Sequence, residues 1–168
     1  RAFSYACDLT DASASAALVE RVLAEHGRVD VLVNNAGRSI RRGIREAYQR
    51  FHDYERVMQL NYFAAVRLTL ALLPSMVARG AGHIVNVSSI SALANPPRFS
   101  AYTASKAALE GFSRCAAAEF ADAGVVFTIV NMPLVRTPMI APTRVSGAIP
   151  FGRGTWEIPK SSTFTRSA

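Results

Sequence analysis

Apolar and polar residues alternate in blocks along the chain, and the period of the pattern changes from block to block. Residues 2–6 (AFSYA) read as a strand. Residues 11–27 repeat apolar side chains at helical intervals. They predict an amphipathic helix with Asp11 or Ser13 as N-cap and Gly27 as C-cap. VDVLVNN (29–35) is short and nearly all apolar, the mark of a strand buried in a parallel sheet. A polar, arginine-rich loop follows. A long helical pattern then runs over 51–79, broken or ended near Pro74. GHIVNVSS (82–89) is a second buried strand, ISALANPPRF (90–99) a loop, 101–121 a helix and GVVFTIVNMP (124–133) a further strand. After about residue 143 the pattern lapses into Ser, Thr, Gly, Pro and Arg with no period.

Strands alternating with helices of this length imply right-handed crossovers and a parallel sheet with helices on both faces. In such a sheet ligands bind beyond the carboxyl ends of the strands. The polar residues fall at those ends: Asp8, Asn34 to Gly37, Ser88 and Ser89, and Asn131. Tyr102 opens the helix that follows the third strand, so all of them can converge on one rim.

On that helix Tyr102 and Lys106 are one turn apart and project side by side. A free phenol titrates near pH 10, too high for easy proton exchange at neutrality. A cation held beside it stabilises the phenolate and brings the proton within reach. The pair therefore has the form of a general acid/base. Taken alone it also fits a surface lysine and a half-buried tyrosine.

Composition narrows the field. The chain has 168 residues, half of them hydrophobic and only 18% charged, which suits one globular domain with a core. Its net charge is +7, and Arg38, Arg41, Arg42, Arg45 and Arg50 lie close together in sequence. Such a cluster can meet phosphates of nucleic acid, of a nucleotide cofactor or of a coenzyme, or it can form a solvated loop. No aromatic interleaving or nucleic-acid motif accompanies it, which excludes nucleic acid as the expected partner. Cys7 and Cys115 sit in separate apolar stretches and read as core thiols of a reducing compartment. His26, His52 and His83 show no metal-ligand spacing, so no metal is expected. The apolar run LNYFAAVRLTLALL is interrupted by Asn61 and Arg67 and is too short to span a bilayer. No signal-peptide pattern is visible, and a cytoplasmic location is expected.

The motifs CDLTD (7–11), NNAG (34–37), LNY with Asn61, IVNVSS (84–89), YTASK (102–106) and VRTPM (135–139) occur in this order. In them the chain resembles the short-chain dehydrogenases/reductases, over about residues 2–145. The resemblance implies a Rossmann-type, doubly wound α/β sheet and hydride transfer between NAD(P)(H) and a carbonyl or alcohol. Tyr102 would exchange a proton with the substrate oxygen. Lys106 would tune Tyr102 and bind the nicotinamide ribose. Ser89 would hold the substrate oxygen, with Ser88 as the competing assignment. Asn61 would hold a water in a proton relay from Lys106. Asp8 would accept a hydrogen bond from the adenine amino group, or else cap a helix. Asn35, Ala36 and Gly37 would lie beside the adenosine, with Asn34 bracing neighbouring strands. Val135 and Thr137 would orient the nicotinamide amide.

Within the family, NMPLVRTPMIAPT replaces the usual Pro-Gly after the last matched strand with Met132 and Pro133. With NNAGRSIRR and NPPRFSAYTASKAAL this is similar to bacterial fatty acyl-CoA reductases, which use NADPH. That likeness makes an acyl-CoA or long-chain aldehyde the expected substrate and NADP(H) the expected cofactor, with NAD(H) the alternative. It gives Arg41 and Arg42 a candidate role at coenzyme or cofactor phosphates. A general reductase of ketones, steroids or hydroxy acids, and an inactive fragment, are the alternative readings. The fold is expected to be incomplete: the first two strands and the glycine-rich turn of the family have no counterpart here. Residues 1–145 are then a partial NAD(P)-binding domain and 146–168 an irregular tail, and the isolated chain is expected to be marginally stable. A homodimer or homotetramer is implied, with Val57, Leu60, Ala64, Leu68 and Leu72 serving either the interface or the core.

Overall fold

The structure is a computed structural model and describes residues 1–134. Its elements in chain order are α1 (Ala12–His26), β1 (Val31–Asn34), α2 (Phe51–Met58), α3 (Ala64–Arg79), β2 (Gly82–Ser89), α4 (Ser91–Ala94), α5 (Ser100–Glu119) and β3 (Val125–Met132). The strands form a parallel sheet in the order β1-β2-β3, with Val31 beside His83 and Gly82 beside Val125. This is the α/β architecture the alternation predicts.

Local chemistry sets the boundaries. Asp11 caps α1 by accepting from the Ser13 and Ala14 amides at 2.8 and 3.1 Å. Gly27 ends the helix at φ 78°, where a side chain would be strained. Pro74 lies inside α3 and does not stop it. The carbonyl that loses its partner there belongs to Leu70, a residue on the exposed side of the helix. A π-helical turn, Gln59–Phe63, joins α2 to α3 without a break. The joined helix Phe51–Arg79 is long and apolar enough, by length and composition, to cross a membrane, which the interrupted run LNYFAAVRLTLALL alone is not. Here its inner side builds the core instead.

That core joins Val19 of α1, Leu68, Leu72, Leu73 and Met76 of α3, Ile84 of β2 and Val125 of β3. On the same side of β2, Asn86 and Ser88 reach Ser113 and Glu110 of α5. All three long helices therefore cover one face of the sheet. The opposite face carries Val31, Val33 and Val126, each about half exposed or more. The expected helices on both faces are not seen among the described residues. The strands are apolar on both sides, but alternate side chains meet protein on one side only.

Residues 2–6 form no strand. An extended segment gains ladder bonds only from a neighbouring strand, and none lies beside it among the described residues. Tyr5 anchors instead on α1, donating to Glu25 Oε2 at 2.5 Å and meeting His26 Nε2 at 2.6 Å. The loop expected at 90–99 contains the short helix α4.

Two positive-φ glycines should respond differently to Ala. A Cβ on Gly27 meets nothing within 4 Å, whereas one on Gly124 (φ 70°) lies 2.0 Å from the Gly80 carbonyl oxygen. Gly27→Ala is expected to cost about 1 kcal/mol, the penalty of the left-handed conformation. Gly124→Ala is expected to cost about 3 kcal/mol or more, because backbone must also move. Urea unfolding of both variants checks this; equal losses refute it.

Candidate active site

The helix α5 starts at Ser100, so Tyr102 stands in its first turn and Lys106 one turn later. The Lys106 ammonium is 5.9 Å from the centre of the Tyr102 ring. Lys106 is only 3% exposed and donates to the Val87 carbonyl at 2.7 Å. Burial pushes this ammonium down to about 8, because the protein interior solvates charge less well than water. Tyr102 is half-buried.

The strand β2 ends on two serines that point to opposite sides. Ser88 is buried and donates to Glu110 Oε1 at 2.6 Å. Ser89 is half-buried, and its Oγ accepts from the Ser91 amide at 3.2 Å, holding the start of α4. Ser88 is thus engaged in the helix–strand seam, and Ser89 is the serine left at the rim. No direct hydrogen bond joins Ser89, Tyr102 and Lys106 to one another; the end of β2 and the first turns of α5 carry them.

Asn61 lies in the π-helical turn, where the extra residue re-aims a side chain. It is 1% exposed. Its Oδ1 accepts from the Arg38 amide at 2.7 Å, and its Nδ2 donates to the Arg38 carbonyl and to Ser105 Oγ, both at 2.9 Å. Asn61 therefore pins the loop after β1 to α5. A Cβ on Gly37 would stand 3.5 Å from Asn61 Oδ1 and 3.6 Å from Lys106 Nζ. Gly37, Asn61 and Lys106 are thus brought together. Ser105, which the sequence did not single out, is fully buried and also donates to the Tyr102 carbonyl at 2.7 Å.

Asn34 braces the sheet, donating to Asn86 Oδ1 at 2.8 Å and Thr69 Oγ1 at 3.3 Å. Asn86 passes the chain on to Ser113 Oγ at 2.7 Å. Asn86, Thr69, Ser113 and Glu110 were missed by sequence reasoning. The signal was polar residues inside an apolar strand, and serines and a glutamate spaced by helical turns in α5. Asn35 and Ala36 are exposed, beside a cavity of about 40 Å³ walled by Leu9 and Leu60. Asp8 does not cap α1. Its exposed carboxylate accepts from the Thr10 hydroxyl and amide, which hold it below the usual carboxylate range. Val135 and Thr137 lie outside the described residues. Among the described residues no group of His, Cys, Asp and Glu could hold a metal.

The sequence model of the family described as short chain dehydrogenase matches residues 1–146. The chain belongs to this family. A fatty acyl-CoA reductase of Acinetobacter baylyi is 57% identical over 146 residues, which cover 87% of this chain and 50% of that protein. The crystal structure of a short-chain dehydrogenase from Streptomyces avermitilis superposes with a TM-score of 0.77 at 41% identity, covering 82% of this chain and 51% of the other. A metagenomic short-chain oxidoreductase in complex with NADP gives 0.73 at 37% identity, covering 78% and 59%. The chain spans about half the length of the curated relatives it matches.

In this short-chain dehydrogenase the lysine's burial should be visible in stability. Its folded pKa of about 8 lies below the unchanged value of 10.5. Between the two, the unfolded chain holds a proton the folded chain has lost, so stability rises with pH. Relative to Lys106→Met, the wild type should gain up to about 3 kcal/mol between pH 8 and 10.5. Urea unfolding of both proteins across that range checks it; a constant difference refutes it.

Proposed function

We propose that residues 1–145 carry the catalytic part of an NADP(H)-dependent oxidoreductase that reduces fatty acyl-CoA or a long-chain aldehyde. The observation that carries this reading is the buried Lys106 beside Tyr102, at the carboxyl end of β2 and next to Gly37. The substrate class follows the Acinetobacter relative, and the cofactor follows the NADP-bound metagenomic enzyme.

The residues present fit a nicotinamide dinucleotide. Gly37 places no side chain over Lys106 Nζ, and Asp8 offers an ionised acceptor near the mouth of the loop after β1. Asp8, Asn35, Ala36 and Gly37 would hold the adenosine end, and Lys106 with Tyr102 the nicotinamide ribose. Val135 and Thr137 are proposed for the nicotinamide amide. When bound, the cofactor supplies the hydride. Tyr102 gives its proton to the substrate oxygen as negative charge develops there. Ser89 donates a hydrogen bond to the same oxygen and shares that charge. Lys106, poorly solvated, favours the phenolate that remains. Asn61 keeps the loop, α5 and the relay from Lys106 in register. Cys7 is half-buried and Cys115 exposed, so neither is the core thiol expected from the sequence; both are unpaired, which supports a reducing, cytoplasmic setting.

We further propose a homodimer through the outer side of α3. Val57, Ala64, Leu68 and Leu72 are buried in the protomer. Phe63, Leu70 and Val77 recur two helical turns apart and are 43%, 56% and 37% exposed. They form the apolar stripe that a second copy would cover.

Tyr102→Phe should lower kcat about 100- to 10,000-fold in NADPH consumption with palmitoyl-CoA, with KM nearly constant. Ser89→Ala should lose about 100-fold, the value of one oxyanion donor, while Ser88→Ala keeps kcat within a few-fold. Equal losses at Ser88 and Ser89 overturn the assignment. For the interface, Leu70→Glu should turn a dimer into a monomer by light scattering, with circular dichroism unchanged. A wild type that is already monomeric removes the proposal.

A further inference from the structure

The arginine cluster divides once its partners are known. Asp53 is 4% exposed and receives Arg42 Nε at 2.9 Å, Arg50 Nε at 3.0 Å and His52 Nε2 at 3.3 Å. Arg98 pairs with Glu46 at 3.5 Å. Arg42, expected from the sequence to meet a phosphate, is therefore already committed to a buried carboxylate. Removing it would leave Asp53 short of a partner.

Arg41 is in a different position. It has no carboxylate partner among the described residues. Its guanidinium lies over the Phe99 ring at 6.0 Å, and its Nε is buried with no hydrogen-bond partner. Phe99 is the N-cap residue of α5, directly before the turn that carries Tyr102. The backbone fixes this arrangement, since the Arg42 amide donates to the Arg98 carbonyl at 2.7 Å and ties the two loops together. A guanidinium whose stem is packed and whose charge is unneutralised is held ready for an anion, with little side-chain entropy left to lose.

We propose that Arg41 is a substrate-recognition residue beside the Tyr102 site, where it binds a phosphate of the coenzyme handle of an acyl thioester. The inference rests on the thioester reading above and deepens it. A phosphate of the dinucleotide is the competing source of the same chemistry. The packing on Phe99, at the start of the Tyr102 helix, favours the substrate.

The test compares wild type, Arg41→Gln and Arg45→Gln, Arg45 being a nearby exposed arginine without a carboxylate partner among the described residues. Two substrates are used: palmitoyl-CoA, and the palmitoyl thioester of N-acetylcysteamine, which has no phosphate. Binding of free coenzyme A is measured separately by calorimetry, without turnover. Arg41→Gln should weaken coenzyme A binding about tenfold, the effect of one charge-assisted hydrogen bond. It should reduce the KM discrimination between the two thioesters by a similar factor, and Arg45→Gln should not. Equal KM increases for both thioesters, an increase for NADPH in place of palmitoyl-CoA, or an equal loss in Arg45→Gln overturns the proposal. So does a wild type that binds no coenzyme A. A wild type that binds coenzyme A through Arg41 but reduces no thioester defeats the thioester reading and leaves this inference standing.

Discussion

Three consecutive residues of β2 are hydrogen-bonded to α5. Asn86 meets Ser113, the Val87 carbonyl meets Lys106, and Ser88 meets Glu110. This polar seam fixes how far the strand end stands along the helix that carries Tyr102. Apolar packing alone resists separation but tolerates sliding, whereas directional bonds between buried groups do not. The cost of burying Lys106 with a single carbonyl is part of the same seam. A charge that is poorly solvated and well placed is what the proton exchange proposed for Tyr102 needs.

The seam also explains why the loop after β1 matters. Asn61 bonds both backbone groups of Arg38 and, through Ser105, the first turns of α5. Asn34 joins the same region to β2 through Asn86. Two buried asparagines thus connect three elements that no apolar contact would align as tightly. Both are cheap only because every donor named here finds an acceptor.

Much of this was legible beforehand, for identifiable reasons. The strand at 82–89 was placed correctly because glycine and serine mark its ends and β-branched residues fill it. The segment 2–6 carries a similar pattern yet forms no strand, since a strand depends on a neighbour that local sequence does not describe. The two serines of β2 could not be told apart by composition, but the twofold period of a strand separates them at once. Pro74 misled because the residue whose carbonyl it orphans, Leu70, lies on the exposed side of the helix. The arginines looked like one patch. Only the fold reveals that Asp53, eleven positions beyond Arg42, neutralises two of them.

The π-helical turn at Gln59–Phe63 is in effect one surplus residue spliced into a continuous rod. Each residue of an α-helix advances the azimuth by about 100°. A surplus residue absorbed there shifts the phase of α3 relative to α2 by about 100°. A single-residue deletion in this turn would rotate everything downstream about the rod's axis, carrying the outward stripe of Phe63, Leu70 and Val77 toward the sheet and the core leucines toward solvent. The geometry that aims one asparagine thus also sets the phase of about two turns of α2 against about four turns of α3, and length here is as constrained as identity.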